Sequence, residues 1–396
     1  MFYLIKRITS IKFTSEFNTS KILNMGGMFY YCNSLTSIDI SIFNTSSVND
    51  ISQMFRECSN LTSLDLSNFI TTNVKYMSSM FYRCVYLKSL DLPNFYTPNL
   101  LTMDYMFYAT GLTYLNIPNF ITDKVKSLYK TFSICNYLTS LDLSSFNTYN
   151  IEDFSSTFSS CRNLTSLDLS NFNTSKAINM YQMFFECTSL KALNLTNFDT
   201  SEVTNMGHMF SLCQSLTSLD ISSFKTHNAR NMVAMFNNLI SLTTLNLSTF
   251  NTKKVTSMSY LFSQCQKLQK LNLFNFDTIN VSQMDNMFYN CSSLNSINIS
   301  SFNTPHLENI NRMFANCSSL KFINISNFDT SRVKSNNELF FNCTSLNDID
   351  ISSFGETINY EQLFNNRLPS EGKIKINKNF YDNITKIIPK NWEIEF

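Results

Sequence analysis

The sequence predicts a repeat solenoid: a curved, right-handed coil in which each repeat of about 26 residues supplies one short parallel strand and one short helical segment. Three observations carry that expectation. Phenylalanine recurs, usually as Met-Phe or Leu-Phe, at Phe29, Phe55, Phe81 and Phe107. After one step of 25 residues it continues at Phe132, Phe158, Phe184, Phe210, Phe236, Phe262, Phe288, Phe314 and Phe340, then closes with a 24-residue step to Phe364. A second series, Phe17, Phe43, Phe69, Phe95, Phe120, Phe146 and onward to Phe354, keeps the same beat. Threonine follows each of its members two residues later, from Thr19 to Thr330, until Glu356 breaks the pattern. Finally, 37 Phe, 18 Tyr and 18 Met stand against 6 Gly and 6 Pro, too much apolar bulk for a disordered chain and too little glycine for phosphate loops and tight strand–helix turns.

The unit reads L-x-x-L-x-L-x-x-F-x-T-x-x-V-x-x-M-x-x-M-F-x-x-C, as in Leu61, Leu64, Leu66, Phe69, Thr71, Val74, Met77, Met80, Phe81 and Cys84. Leu64-Asp65-Leu66 has the period of a strand, whereas Val48, Ile51, Met54 and Phe55 fall on one face of a short helix. Neither element buries its apolar side alone, so the repeats must stack. About fifteen strands at roughly 4.8 Å spacing give a sheet on the order of 70 Å long. No linker or charge block interrupts the pattern, which predicts a single solenoid over residues 1–376 and a C-terminal cap over 377–396.

At the C-terminal end, Lys373–Ile376 reads as the last strand, Phe380–Ile388 as a short helix ended by Pro389, and Trp392 as the side chain that covers the last coil. At the other end, Ile8–Phe13 reads as a first strand, and Phe2 precedes Ile8 by the same interval that separates Phe29 from Leu35. The chain therefore opens inside a repeat, which implies either protection by something outside it or a start at an internal methionine of a longer gene. Met1–Phe13 reads as neither a transmembrane helix nor a secretory signal.

Charge and chemistry narrow the function. Thirty Lys+Arg against 29 Asp+Glu give a net charge of +1, so neither nucleic-acid binding nor membrane insertion is expected. All eleven cysteines (Cys32, Cys58, Cys84, Cys135, Cys161, Cys187, Cys213, Cys265, Cys291, Cys317, Cys343) share one repeat position, filled by Thr110 and Leu239 in two other coils. Their spacing rules out C-x-x-C metal ligation, and parallel Cβ vectors disfavour disulfides, so buried free thiols are expected. His208, His227 and His306 lie at different repeat positions, and no G-x-S-x-G, Walker or G-x-G-x-x-G motif is present. No enzyme, cofactor or metal follows from this. The sequons at Asn44, Asn173, Asn298 and Asn316 are generated by the repeat itself.

The candidate binding residues lie between the last two apolar positions of each strand, where alternation sends the side chain outward. The column runs Asp39, Asp65, Asp91, Asn116, Asp142, Asp168, Asn194, Asp220, Asn246, Asn272, Asn298, Asn324 and Asp350, with Lys12 before it and Lys375 after it. Thr36, Ser37, Thr62, Ser63, Thr139, Ser140, Thr165 and Ser166 extend the surface. Two readings stand side by side: a solubilising sheet surface inherited through duplication, or a polar face that binds a partner or cations.

With L-x-x-L-x-L, the Met-Phe pair and the Cys position in register through a dozen copies, the chain resembles the BspA-like leucine-rich repeats over about residues 1–376. The resemblance implies a curved leucine-rich-repeat solenoid. It also implies a surface-displayed or secreted protein that adheres to host proteins or other cells, hence a non-enzymatic protein-binding role with a host or cell-surface protein as partner. The missing signal favours the alternative, an intracellular, cytoplasmic protein-interaction scaffold.

Overall fold

The computed structural model describes residues 4, 5, 7–364 and 368–396; Phe2, used above to phase the first repeat, lies outside the described residues. The chain divides into two compact units, Met1–Asp199 and Thr200–Phe396, each wound as a coil whose turns pair in parallel.

In the first unit, strands β1 (Ser89–Asp91) and β2 (Tyr114–Asn116) pair in parallel with Asp91 opposite Asn116. In other coils the same segment is held more sparsely, as by Thr62 N–H to the Thr36 carbonyl (3.1 Å) and Thr165 N–H to that of Thr139 (3.3 Å). The stretch Ile8–Phe13, expected as a strand, is not one; within it the Thr9 carbonyl bonds forward, accepting from Thr36 N–H at 3.3 Å. A second parallel ladder of single bridges runs Asn24–Asp50–Tyr76–Thr102 and Ser127–Asp153–Asn179.

The helical segment expected in each repeat is instead a train of turns. Ile51, Gln53, Phe55 and Glu57 donate their N–H groups to Tyr76, Ser78, Met80 and Tyr82 of the next coil, at 2.8–3.0 Å. The amides between them close turns within the coil: Met54 to Ile51, Arg56 to Gln53 and Cys58 to Phe55. Gln53 (φ 57°) and Glu57 (φ 61°) sit in the left-handed region at the third place of their turns, which makes those turns type II and ends any α-helix there. The pair recurs as Ser79 and Arg83, Tyr105 and Ala109, and Lys130 and Ile134. A helix would satisfy its amides internally, whereas these turns aim alternate amides at the neighbouring coil and so tie the stack together. Both arrangements turn Ile51, Met54 and Phe55 inward, which is why the apolar spacing does not separate them.

In the second unit, β3 (Lys270–Asn272) pairs with β4 (Ser296–Asn298), and β5 (Phe322–Asn324), β6 (Asp348–Ile351), β7 (Glu371–Ile376) and β8 (Asn391–Glu395) form a parallel sheet in that order. The strand at Lys373–Ile376 is therefore not the last one, because β8 adds beyond it. The helix expected over 380–388 reduces to a 3-10 turn at Lys378–Phe380 and α1 (Tyr381–Ile384). Trp392 does cover the end, but from β8: it lies opposite Gly372, is 6% exposed and donates its Nε1 to the Pro369 carbonyl at 2.9 Å.

The core follows the sequence columns. In the first unit Phe29, Phe55, Phe81, Phe107, Phe132, Phe158 and Phe184 stack at centroid distances of 5.4–6.0 Å, including the 25-residue step. In the second unit the series from Phe210 to Phe364 does the same at 5.4–6.0 Å. The threonine after the second phenylalanine is buried and bridges coils: Thr148 Oγ1 donates to the Asn173 carbonyl (2.9 Å) and accepts from Asn173 N–H (2.7 Å). Thr19, Thr45, Thr97, Thr226 and Thr278 make the same double bond.

All eleven cysteines are free and buried. Cys58 Sγ donates to the Phe29 carbonyl at 3.1 Å, and Cys84, Cys135, Cys161, Cys187, Cys265, Cys291, Cys317 and Cys343 repeat that contact at 3.0–3.1 Å. Burial pushes Cys135, Cys265 and Cys343 up to about 12, far from the thiolate that reagents attack. Iodoacetamide is therefore expected to leave nearly all of them unlabelled in the native protein and to label all eleven after denaturation; crosslinks between adjacent coils by mass spectrometry would refute this.

Candidate interaction face

Every residue of the Asp/Asn column reaches the surface; Asn116 and Asp350 are partly covered and the others are exposed. The column also has a local task. Asp39, Asp65, Asp142, Asp168 and Asp220 accept the backbone N–H of Ser41, Ser67, Ser144, Ser170 and Ser222 at 2.9–3.0 Å. Asn194, Asn246, Asn272, Asn298, Asn324 and Asp350 cap the turn after their strands in the same way at 3.0–3.2 Å. A short side chain bearing an acceptor one methylene from Cβ is what an i to i+2 cap requires, and both Asp and Asn meet it. The exceptions support this reading. Asp91 and Asn116 are followed two residues later by Pro93 and Pro118, which have no N–H, and there Asn116 Nδ2 donates to Asp91 Oδ1 instead (2.8 Å).

The serine amides and hydroxyls hold Asp39, Asp65, Asp142, Asp168 and Asp220 below the usual carboxylate range. A depressed folded-state pKa contributes stability above the unfolded value of about 4, and that contribution is lost as pH falls through the folded value. Asparagine keeps the acceptor and does not titrate. Changing Asp39 and Asp65 together to Asn is therefore expected to keep both caps, to give up only the small charge-dependent part of the stability at pH 7, and to flatten its fall below about pH 4, read by thermal melts. Alanine at the same two positions should destabilise more at pH 7; if the asparagines do so equally, the caps are not what selects this column.

Two further Asx columns escaped the sequence reading. Asn24, Asp50, Asp153 and Asn179 cap the bridge ladder by accepting from Gly26, Ser52, Ser155 and Tyr181 at 2.7–3.1 Å. Asn44, Asn147 and Asn173 cap the corner before the buried threonine, from Ser46, Tyr149 and Ser175 at 3.0–3.1 Å. Where Thr102 and Ser127 interrupt the bridge column, Asp104 of the preceding coil takes over, accepting from Ser127 Oγ (2.7 Å) and Tyr129 N–H (3.1 Å). The signal was the N/D-x-S spacing, visible in Asn44-Thr45-Ser46 and Asp65-Leu66-Ser67.

The Ser/Thr neighbours Thr36, Ser37, Thr62, Ser63, Thr139, Ser140, Thr165 and Ser166 are exposed as expected. Of the histidines, His227 and His306 are exposed, the latter with Nδ1 3.2 Å from Arg332 Nη1, while half-buried His208 has its pKa lowered by burial. Among the described residues, no cluster of three or more His, Cys, Asp or Glu is placed to hold a metal ion.

The family model described as "Mycoplasma protein of unknown function, DUF285" matches residues 1–113, 86–193, 178–275 and 262–376. The chain belongs to this family. No curated protein matches it. Among solved structures, this DUF285 chain is similar to leucine-rich repeat proteins of gut bacteria. One from Bacteroides ovatus is 17% identical over 95% of this chain and 88% of that one, with a TM-score of 0.45. One from Eubacterium ventriosum is 17% identical over 85% and 87%, with a TM-score of 0.42. A leucine rich cell surface protein from Faecalibacterium prausnitzii is 19% identical over 82% and 74%, with a TM-score of 0.38. No helix among the described residues is long and apolar enough to cross a membrane.

Proposed function

We propose that the chain is a non-enzymatic binding solenoid that engages a protein partner through its strand face, with adhesion at a cell surface as its setting. The observation that carries this reading is the exposed Asp/Asn column, which within each unit presents one polar side chain per coil. Many equivalent weak contacts along such a row raise avidity without a deep pocket. The capping role explains Asp or Asn at every position but 91 and 116; it does not explain why carboxylates dominate the first unit while Asn246, Asn272, Asn298 and Asn324 are uncharged in the second. That bias favours a basic partner surface on the first unit. The adhesion setting follows from the resemblance of the repeat to BspA-like leucine-rich repeats.

The Asp39, Asp65 and Asp91 to Asn variant tests this because it keeps the caps at positions 39 and 65 and an acceptor for Asn116 at position 91, and removes only charge. Partner binding is expected to weaken and to lose part of its salt dependence. Unchanged affinity and salt response would reduce the column to a solvated, turn-capping surface.

A further inference from the structure

We infer that the strand face of the first unit has a centre: a tyrosine-flanked notch at Gly111 that takes an arginine side chain of a protein partner. The inference rests on the binding reading above. It begins with one missing residue. Two residues separate Cys84 from Leu87 and Cys135 from Leu138, but only Gly111 separates Thr110 from Leu112. Tyr86 and Tyr137 therefore occupy the same repeat position two coils apart, roughly 10 Å at the usual strand spacing. The coil between them has no counterpart to either ring, and Gly111 has no side chain.

These rings are not buried. Tyr86, Tyr114 and Tyr137 are 55%, 53% and 52% exposed. Elsewhere in the first unit the position of Tyr86 is taken by small or polar residues, Ser34, Asn60, Asn163 and Ser189, so the aromatic cluster is confined to the short coil and its two neighbours. The notch already accommodates a cation, because Lys88 reaches across the short coil and places Nζ 4.8 Å from the Tyr137 ring centroid. Five residues further along each coil the face carries the exposed carboxylates of Asp65, Asp91, Asp142 and Asp168.

Aromatic faces and nearby carboxylates on one surface call for a positively charged partner. A guanidinium fits them best, because it is planar, stacks on aromatic rings and carries five N–H donors. In this arrangement Lys88 is an internal competitor, resting where the partner's cation would sit.

The test uses the full chain and a fluorescein-labelled octa-arginine peptide, read by fluorescence anisotropy at low and physiological salt. Tyr86→Ala and Tyr137→Ala are each expected to weaken binding about three- to fivefold, the loss of one exposed cation–π contact. Lys88→Gln is expected to tighten it. Tyr149→Ala, which removes an exposed tyrosine at a different repeat position, leaves affinity unchanged. Hydrogen exchange is expected to slow at 85–91, 111–116 and 136–142 when the peptide binds. No peptide binding, tyrosine variants with unchanged affinity, or weaker binding by Lys88→Gln would each overturn the inference. Binding of a neutral oligosaccharide such as maltoheptaose in place of the peptide would overturn it too. The Asp39, Asp65 and Asp91 to Asn variant separates the two proposals. If it weakens the peptide and the tyrosine variants do not, the notch fails and the strand face stands; the opposite pattern removes the face and keeps the notch.

Discussion

Replacing Phe184 by alanine is expected to destabilise the protein by roughly 3 to 5 kcal/mol, the cost of emptying a buried aromatic site that its surroundings refill only in part. Phe184 is fully buried and stacks on Phe158 at 5.8 Å with the rings 9° from parallel. In a stack of this kind the loss strips one face of the neighbouring ring as well, and the coil backbone, pinned to its neighbours by alternate amides, has little freedom to collapse into the gap. Cys187→Ala tests the other side of the same turn. It removes a small group whose Sγ donates to the Phe158 carbonyl at 3.1 Å, a weak bond, so about 1 to 2 kcal/mol is expected. Urea unfolding of the two variants measures the contrast. Equal losses would mean that the thiol ladder, rather than the ring ladder, sets the stability of the coil.

The two ladders were legible in the sequence because each occupies an invariant place in the repeat, and burial follows directly from such periodicity. The alternation Leu64-Asp65-Leu66 likewise placed the Asp/Asn column outside. What the sequence did not disclose was conformation where two conformations share one apolar pattern. Ile51, Met54 and Phe55 point inward from a helix or from successive turns alike, and the left-handed residues that decide the matter are Gln53, Glu57, Tyr105 and Ile134, not the glycines that normally mark such turns. The polar columns were legible as exposure but not as bonding. Asn68 Nδ2, for example, reaches back to the carbonyls of Ile40, Ser41 and Phe43, a role that depends on how the preceding coil is stacked. Strand β8 was missed for a related reason: Asn391–Glu395 is short and carries two glutamates, and only its pairing with β7 makes it a strand.

Gly111→Ala is expected to be the most damaging single-methyl substitution in the first unit, at about 3 kcal/mol or more, the upper end of overpacking costs. A Cβ built on Gly111 lies 2.0 Å from the Val85 carbonyl oxygen and 2.8 Å from its carbon. Both are backbone atoms, so no rotamer change relieves the contact. Either the Gly111 N–H to Cys84 carbonyl bond (3.1 Å) stretches or the two coils separate. Gly355→Ala is the matched control, since the nearest atom to its added methyl is Thr330 Oγ1 at 3.8 Å and its N–H bond to that oxygen survives; a change within about 0.5 kcal/mol is expected. The cause of the close approach is the residue count: with one residue fewer between Thr110 and Leu112, the chain must cut the corner across the Val85 carbonyl to bring Leu112 back into register with Leu87 and Leu138. Inserting one residue between positions 111 and 112 of the Gly111→Ala variant restores the usual spacing and is expected to recover most of the lost stability. If the insertion does not rescue, the damage does not come from the shortened turn. If it does, the same insertion fills the gap between Tyr86 and Tyr137, and the loss of octa-arginine binding in a stable protein would tie the notch to the missing residue.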